Sequence, residues 1–335
     1  MSNGKSGRKK LLSAIIAVII VLVGAFLGID VSDILEEYAS TEQNDTTNNT
    51  LQVEENVEGK LIVTMIDVGQ ADCFLYEQNG KYALIDCGEA STADEVIDFL
   101  KKKGITKLDY LFGTHPHSDH MGGMYKIVTN IEIGTIIIPK VDETKVTSTW
   151  YNILDEELNT VYVKNKKEIP KYNVEYSKEG ATLYLGDATI SILEQFTEYK
   201  SDLNNYSAIM KISFGEIDII TTGDAETVVE KELLDSGKNI DAEILKLGHH
   251  GSKTSTSEEF LKAVSPDYAL ISAGVGNKHE HPTKSVMERM EKHEIDVYRT
   301  DESGTITIII TANNIKFDAK PGDYADGIEI AKRYQ

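Results

Sequence analysis

The sequence predicts a mixed α/β fold, two β-sheets facing each other with helices outside. Three observations point to it. From Lys60 onward an apolar run, a polar turn and a helix-period pattern recur. Some runs pair across short turns as hairpins, while others feed helices as strand–helix units. Clusters of polar residues follow the C-terminal ends of the expected strands, where open sheets present their sites.

The elements follow in order. Residues 61–66 and 73–76 read as apolar strands, and 81–86 returns as a third after the Asn79-Gly80 turn. Residues 93–103 carry a helical pattern, 108–113 a strand and 124–129 a helix. Residues 182–185 with 190–193, and 208–214 with 218–222, read as two strand pairs. A helix over 225–234, a strand over 242–246, a helix over 257–264 and a strand over 268–272 come next. A helix over 284–293 and a closing strand over 305–311 complete the pattern.

Before this body lie two different segments. Lys5, Arg8, Lys9 and Lys10 precede residues 11–29, an uncharged run rich in Ile, Val, Leu and Ala. At about 1.5 Å per residue such a run spans roughly a bilayer core. The basic flank stays in the cytoplasm, which puts the remainder outside. The expected organisation is a cytoplasmic basic N-terminus (1–10), a transmembrane signal anchor (11–29), a flexible acidic linker (30–59), a folded domain (60–318) and a C-terminal tail (319–335). A cleaved signal peptide is the alternative, and it exports the domain equally. The linker holds too few apolar residues to fold alone.

The formal net charge is -21, from 34 Lys and Arg against 55 Asp and Glu. That balance argues against a non-specific grip on nucleic acid or anionic lipid. It leaves room for a nucleic acid held at a metal site, where ions neutralise phosphate charge. Cys73 and Cys87 flank the expected hairpin and could face each other as a disulfide. Two buried small apolar side chains are the simpler expectation, and no CxxC spacing suggests metal binding.

The chemistry sits in the histidines. Seven of the eight lie in three clusters: His115, His117 and His120; His249 and His250; His279 and His281. The first reads Thr114-His115-Pro116-His117-Ser118-Asp119-His120. So many ionisable groups need partners that an apolar interior does not supply, and a divalent metal supplies them. His115 and His117, two apart in a loop, can pinch one ion, while Asp119 and His120 aim at a second. Asp224, after Thr222-Gly223, suits a carboxylate bridging two cations. His249 and His250 diverge, so one would ligate metal and the other face the substrate. Asp67, Asp72 and Asp86 either orient ligand histidines or hold turns. His281, ahead of a helix, could reach substrate as acid or anion donor, with His279 on the surface. The lone His293 sits solvated on a charged helix. Between residues 130 and 200, Trp150, Tyr151, Tyr162, Tyr172 and Tyr176 interleave with Lys164, Lys166, Lys167 and Lys171. Such a set can stack bases, though a solvated surface insertion explains it as well.

Together these motifs resemble the metallo-β-lactamase superfamily. More narrowly, Ile66-Asp67-Val68-Gly69-Gln70-Ala71-Asp72, Leu84-Ile85-Asp86-Cys87-Gly88 and His281-Pro282 look like the C-terminal hydrolase domain of ComEC-type DNA-uptake competence proteins. The resemblance covers roughly residues 60 to 318. It implies a four-layer αββα sandwich and a two-metal hydrolase, usually with zinc and with manganese in nuclease-like members. By that likeness one ion takes His115, His117 and Asp224, and the other takes Asp119, His120, Asp224 and His250. His249 then faces the leaving or phosphate group, and Asp119, His249 and His281 are the candidates to act in catalysis. Two departures stand out. Many members carry a further histidine where this chain reads Asn204-Asn205-Tyr206-Ser207, so water would complete the first ion, as in phosphodiesterase-type relatives. The multi-helix permease portion of competence proteins has no counterpart here, so DNA transport by this chain alone is not expected.

The expected function is therefore an extracytoplasmic, membrane-anchored hydrolase of phosphodiesters or nucleic acid. Two cations about 3.5–4 Å apart activate water and clamp a phosphodiester's oxygens. The alternatives are hydrolysis of a phosphorylcholine ester, lactam or thioester, or a non-catalytic metal-binding protein of the same fold. No protein partner can be inferred.

Overall fold

A computed structural model describes residues 59–334 apart from 143, 165–166 and 199–201. The first sheet starts with β1 (Leu61–Met65), β2 (Phe74–Gln78) and β3 (Lys81–Ile85), antiparallel neighbours. Asn79 and Gly80 turn between β2 and β3 with φ of 48° and 72°, the two left-handed positions of a type I′ hairpin. Helix α1 (Ala93–Lys102) leads to β4 (Lys107–Phe112). The short helices α2 (Ser118–Met121) and α3 (Met124–Asn130) lead to β5 (Glu132–Ile138). Both new strands run parallel to β3. Helix α4 (Thr149–Leu158) and an exposed hairpin of β6 (Val161–Lys164) and β7 (Lys167–Pro170) precede β8 (Val174–Tyr176), which pairs with β5.

The second sheet begins with β9 (Thr182–Leu185), β10 (Ala188–Glu194), β11 (Ile209–Phe214) and β12 (Ile217–Thr221), again antiparallel. Strand–helix units then take over. Helix α5 (Thr227–Asp235), β13 (Ile244–Lys246), α6 (Glu258–Val264), β14 (Tyr268–Ile271), α7 (Lys284–Lys292) and β15 (Asp296–Arg299) follow, with β12 to β15 parallel. A single turn, α8 (Thr300–Ser303), returns the chain to the first sheet. There β16 (Ile306–Ile310) pairs with β1, and β17 (Ile315–Phe317) forms the edge. Helix α9 (Gly327–Arg333) comes last.

Three apolar layers define the architecture. Val63, Phe74 and Ile85 of the first sheet meet Ile190, Met210 and Ile219 of the second. The outer face of the first sheet, with Leu75, Leu84 and Leu111, packs on Val96 and Leu100 of α1 and Ile127 of α3. The outer face of the second, with Ile220, Leu245 and Ala269, packs on Val229, Phe260 and Met287. This is the αββα order. Strand β1 is buried throughout because both its faces are covered. Burying each large aliphatic side chain contributes about 1.5–3 kcal/mol.

Several elements escape the sequence pattern. Strand β15 is short and charged at both ends, and β5 starts on a polar Glu-Ile-Gly-Thr stretch. The segment read as a tail (319–335) carries α9, which buries Ile330 and starts with a capping box between Asp326 and Glu329. Arg299, fully buried, donates to both Asp301 carboxylate oxygens and to the Ala325 carbonyl, tying this segment to the β15 end. Cys73 and Cys87 are free and buried. Among the described residues no helix is long and apolar enough to cross a membrane. The run over 11–29 and most of the linker over 30–59 lie outside them.

Removing one partner of a buried ion pair strands the other charge. Arg299→Ala is therefore expected to lower stability by about 3–5 kcal/mol, read as a shift in the urea midpoint at unchanged slope.

Candidate metal centre

Each candidate ligand leaves the C-terminal end of a strand. The loop after β4 carries His115 and His117, and α2 carries Asp119 and His120. The end of β12 gives Thr222-Gly223-Asp224, and β13 runs into a tight turn at Gly248–Gly251. Gly223 has φ of 50°, and a Cβ there would sit 2.9 Å from Ser207 Oγ and 3.0 Å from Thr114 Oγ1. Only glycine lets the chain enter Asp224 this way. His249 (φ 50°, ψ 50°) and His250 (φ 53°, ψ 26°) are both left-handed. Such non-glycine residues cost of order 1–3 kcal/mol each and cluster at functional sites.

Asp224 is the meeting point. Its Oδ1 lies 3.2 Å from His120 Nε2. Its Oδ2 lies 3.6 Å from His250 Nε2, 3.7 Å from His249 Nε2 and 3.9 Å from His115 Nε2. His115 Nε2 is 3.1 Å from His117 Nδ1, and Asp119 Oδ2 is 3.4 Å from His250 Nε2. One ligand atom from each of Asp119, His120, Asp224 and His250 falls within 4.8 Å of the others. The structure thus brings His115, His120 and His250 to the Asp224 carboxylate, with Asp119 beside His250 and His117 beside His115. His117, Asp119, Asn204, Asp224 and His249 line a cleft of about 680 Å³ that opens over them.

The donor set fits divalent ions. His120 Nε2, His250 Nε2 and Asp224 Oδ1 are buried and make no hydrogen bond. Buried polar atoms left this way are costly unless something else binds them. The far nitrogens are spoken for. His120 Nδ1 is 2.7 Å from Asp86 Oδ2, and His250 Nδ1 is 2.9 Å from the Ser272 carbonyl and 3.3 Å from Asp72 Oδ1. Donation from Nδ1 turns each Nε2 lone pair toward the centre. Asp86 in turn accepts from the Thr114 amide and hydroxyl, both at 2.8 Å.

The three acids thus divide. Asp72 and Asp86 stand behind ligand histidines. Asp67 is exposed and accepts from the Gly69 amide at 3.1 Å, so it holds a turn. His281 is buried beside His249, ring centroids 5.3 Å apart, and His279 stacks outside it. His293 is not simply solvated: its Nε2 lies 3.0 Å from Glu258 Oε1. Of the interleaved aromatics, Tyr151 is buried, Trp150 and Tyr172 pack against the outer core, and Tyr162 and Tyr176 are exposed. They form no common stacking face.

Sequence reasoning missed Lys246. This last residue of β13 looks like a solvated strand end, yet it is 1 % exposed. Its ammonium pairs with Asp72, donates to the Gly223 carbonyl at 3.0 Å and lies 3.8 Å from Asp224 Oδ1. Thr114, the hydroxyl against Asp86, was also missed. A lysine closing an apolar strand just ahead of paired histidines is the only signal the sequence offers.

Burial opposes every charge here, and the partners decide the outcome. It raises the Asp72 and Asp224 carboxyls, but Lys246 and the imidazoles bring Asp72 below its ordinary value, and the imidazoles bring Asp224 well below it. It lowers His250, yet Asp224 and Asp72 push that imidazole up to about 10. His120 likewise stands well above its usual value through Asp224 and Asp86. His115, buried beside His120, lies well below it. Burial, with His249 and His250 near, takes His281 down to about 3.

Two outcomes follow. Lys246→Met leaves Asp72 and Asp224 without their cation, and about 3–5 kcal/mol of stability is expected to go, measured by chemical denaturation of the metal-free protein. The raised histidines set a pH dependence. Their protons stabilise the metal-free fold below the ordinary value of 6.5, and His250's share is lost as pH rises through about 10. An incoming ion must displace these protons. Zinc affinity, measured by chelator competition, is expected to climb from pH 6 to pH 9 with proton release; a flat profile contradicts the assignment.

Comparison with known proteins agrees with this geometry. The metallo-beta-lactamase superfamily model matches residues 66–275. ComE operon protein 3 of Bacillus subtilis (strain 168) is 33% identical over 264 residues, covering 73% of this chain and 32% of that protein. Competence protein ComA of Neisseria gonorrhoeae is 28% identical, covering 77% of this chain and 34% of that protein. Recombination protein 2 of Haemophilus influenzae is 32% identical, covering 73% and 28%. The chain spans about a third of the length of these relatives. With an αββα fold and a His/Asp cluster at its strand ends, the chain belongs to the metallo-β-lactamase superfamily and is homologous to the ComEC-type competence proteins.

Proposed function

We propose that the domain is a two-metal phosphodiesterase that cleaves nucleic acid. The observation that carries this is the convergence of three buried atoms without a hydrogen bond, His120 Nε2, His250 Nε2 and Asp224 Oδ1, beneath an open cleft. His115, His117 and Asp224 would hold one ion, and Asp119, His120, Asp224 and His250 the other. Zinc suits the imidazole-rich set, and manganese the carboxylates. Bound ions supply Lewis acidity to water and to the oxygens of a phosphodiester.

The chain's own residues do the rest. Asp86 and the Ser272 carbonyl fix the ring orientations of His120 and His250. The imidazoles keep Asp224 anionic, with the Lys246 ammonium 3.8 Å away, so that it would hold an ion. His281, held neutral by its burial, lies beside His249 and lines an adjoining pocket with Ser252 and Lys253; its role toward substrate, as acid or anion donor, is part of this proposal. Names that speak of competence and recombination among the relatives favour a nucleic-acid substrate. Positive ions in the cleft would offset the acidity of the chain as a whole. The apolar run over 11–29 supports anchoring in the cell membrane with this domain outside.

The full chain, loaded with zinc or manganese, is expected to hydrolyse bis(p-nitrophenyl) phosphate and single-stranded DNA. Chelation should abolish turnover, and Asp224→Asn should lower kcat by about 10²–10³-fold, as expected when an electrostatic group of the centre is lost. A metal-loaded protein that cleaves thioesters, lactams or phosphorylcholine esters but no phosphodiester contradicts the proposal.

A further inference from the structure

We propose that the pocket beside the metal cleft, lined by Lys253, Lys284 and His281, holds the neighbouring phosphate of a nucleic-acid strand whose cleaved linkage lies at the ions. This rests on the phosphodiesterase reading above and narrows its substrate to chains with a second phosphate. The pocket holds about 260 Å³, and His279 lines both it and the cleft over Asp224, so the two adjoin. Pockets that take a whole small molecule run to about 300–1,000 Å³. This one suits a single group of a longer ligand. Its wall is built onto the turn that carries His249 and His250. The Thr283 amide and hydroxyl both donate to the Gly251 carbonyl, at 2.9 Å and 3.1 Å. Asn277 fixes His281 from the other side. Its Oδ1 accepts from the His281 amide at 3.0 Å, and its Nδ2 donates to the His281 carbonyl at 2.6 Å.

Two independent observations favour an anion there. The first is His281 itself, 7 % exposed, whose Nδ1 is buried without a hydrogen bond. Its ring neighbours are other imidazoles, His249 at 5.3 Å and His279 at 5.5 Å between centroids. A buried polar atom left this way is costly unless a ligand completes it, and an imidazole N–H can be given to a phosphate oxygen. The second is surplus positive charge. Helix α7 starts after Thr283, whose hydroxyl is spent on Gly251, so the N-cap makes no side-chain bond to the first turn. That turn holds no acid and begins with Lys284. A cation at the positive end of a helix is unfavourable by itself, and an anion between them relieves both. Lys284 has only Glu288, 3.9 Å away on an exposed face. Lys253, also in the lining, makes no ion pair among the described residues. Two acids share the pocket. Asp326 is occupied in capping α9, accepting from the Glu329 amide at 2.9 Å, which leaves Glu280 against two ammonium groups.

The test compares the full chain, loaded with manganese, on a thymidine dinucleotide, which has one phosphate, and a trinucleotide, which has two. Wild type is expected to show kcat/KM about 10-fold higher on the trinucleotide, the weight of one hydrogen bond to a charged group. Lys253→Met with Lys284→Met should erase that preference, and Lys253→Arg with Lys284→Arg should keep it. A general loss of fold lowers both rates and leaves their ratio unchanged. A dinucleotide with a terminal phosphate separates two sources of the group: it shares the gain if strand ends are held, and the trinucleotide alone shows it if internal linkages are. A second arm needs no turnover. The metal-free chain should bind fluorescein-labelled tetrathymidylate, read by anisotropy, and the paired Lys→Met variant and His281→Ala should each bind about 10-fold more weakly. Cleavage that ignores the second phosphate, or a ratio that the paired Lys→Met variant does not change, overturns the subsite and leaves the phosphodiesterase reading standing. Binding that depends on these residues, without cleavage of any phosphodiester, overturns that reading and leaves the subsite. Neither binding nor cleavage overturns both.

Discussion

The buried charge of Asp224 is the constraint on which the centre depends. A carboxylate taken out of water costs several kcal/mol unless cations and hydrogen bonds answer it. Asp72 and Asp86 are buried close by, so this region holds three acids where an apolar core would be more stable. Four imidazoles and one ammonium surround Asp224 within 3.9 Å. Lys246 is the one permanent cation among them. It lets the chain fold with its carboxylates ionised, and the imidazoles hold protons that an ion can displace. Such a cluster can exchange protons for a metal ion.

The fold makes this arrangement possible through parallel strands. In each sheet an antiparallel portion is followed by strand–helix units, and every ligand loop lies at the C-terminal end of a strand. The two sheets face each other, so loops separated by more than a hundred residues meet along one edge. The Ser272 hydroxyl, after β14, donates to the Ala71 carbonyl in the β1–β2 loop and fastens the two halves beside the centre. The candidate ligands sit at strand ends, and the left-handed turn at His249 and His250 is tied to the Asp224 loop by the His249 amide, which donates to the Gly223 carbonyl.

The sequence displayed the ligands because they break its pattern. Histidines and aspartates stand directly after apolar runs, so these residues could be picked out, and Asp119, His120, Asp224 and His250 lie together in the structure, with His115 beside Asp224 and His117 beside His115. The two-sheet architecture was legible for the same reason, as runs alternate with helical stretches. What was hidden depends on partners distant in the chain. Lys246 looks like an ordinary strand end until Asp72 and Asp224 are placed beside it. Asp67 and Asp72 look alike in one motif, yet one holds a turn and the other a histidine. Helix α9 follows a polar stretch, and only the buried Arg299 shows why it docks. The short, charged β15 takes its pairing from β14 rather than from its own composition.

The most direct measurement is anomalous diffraction at the zinc edge from crystals of the metal-loaded protein. The account predicts two peaks flanking the Asp224 carboxylate, one on the His120 and His250 side and one on the His115 and His117 side. Peaks remote from Asp224, or none at full zinc loading, would contradict it.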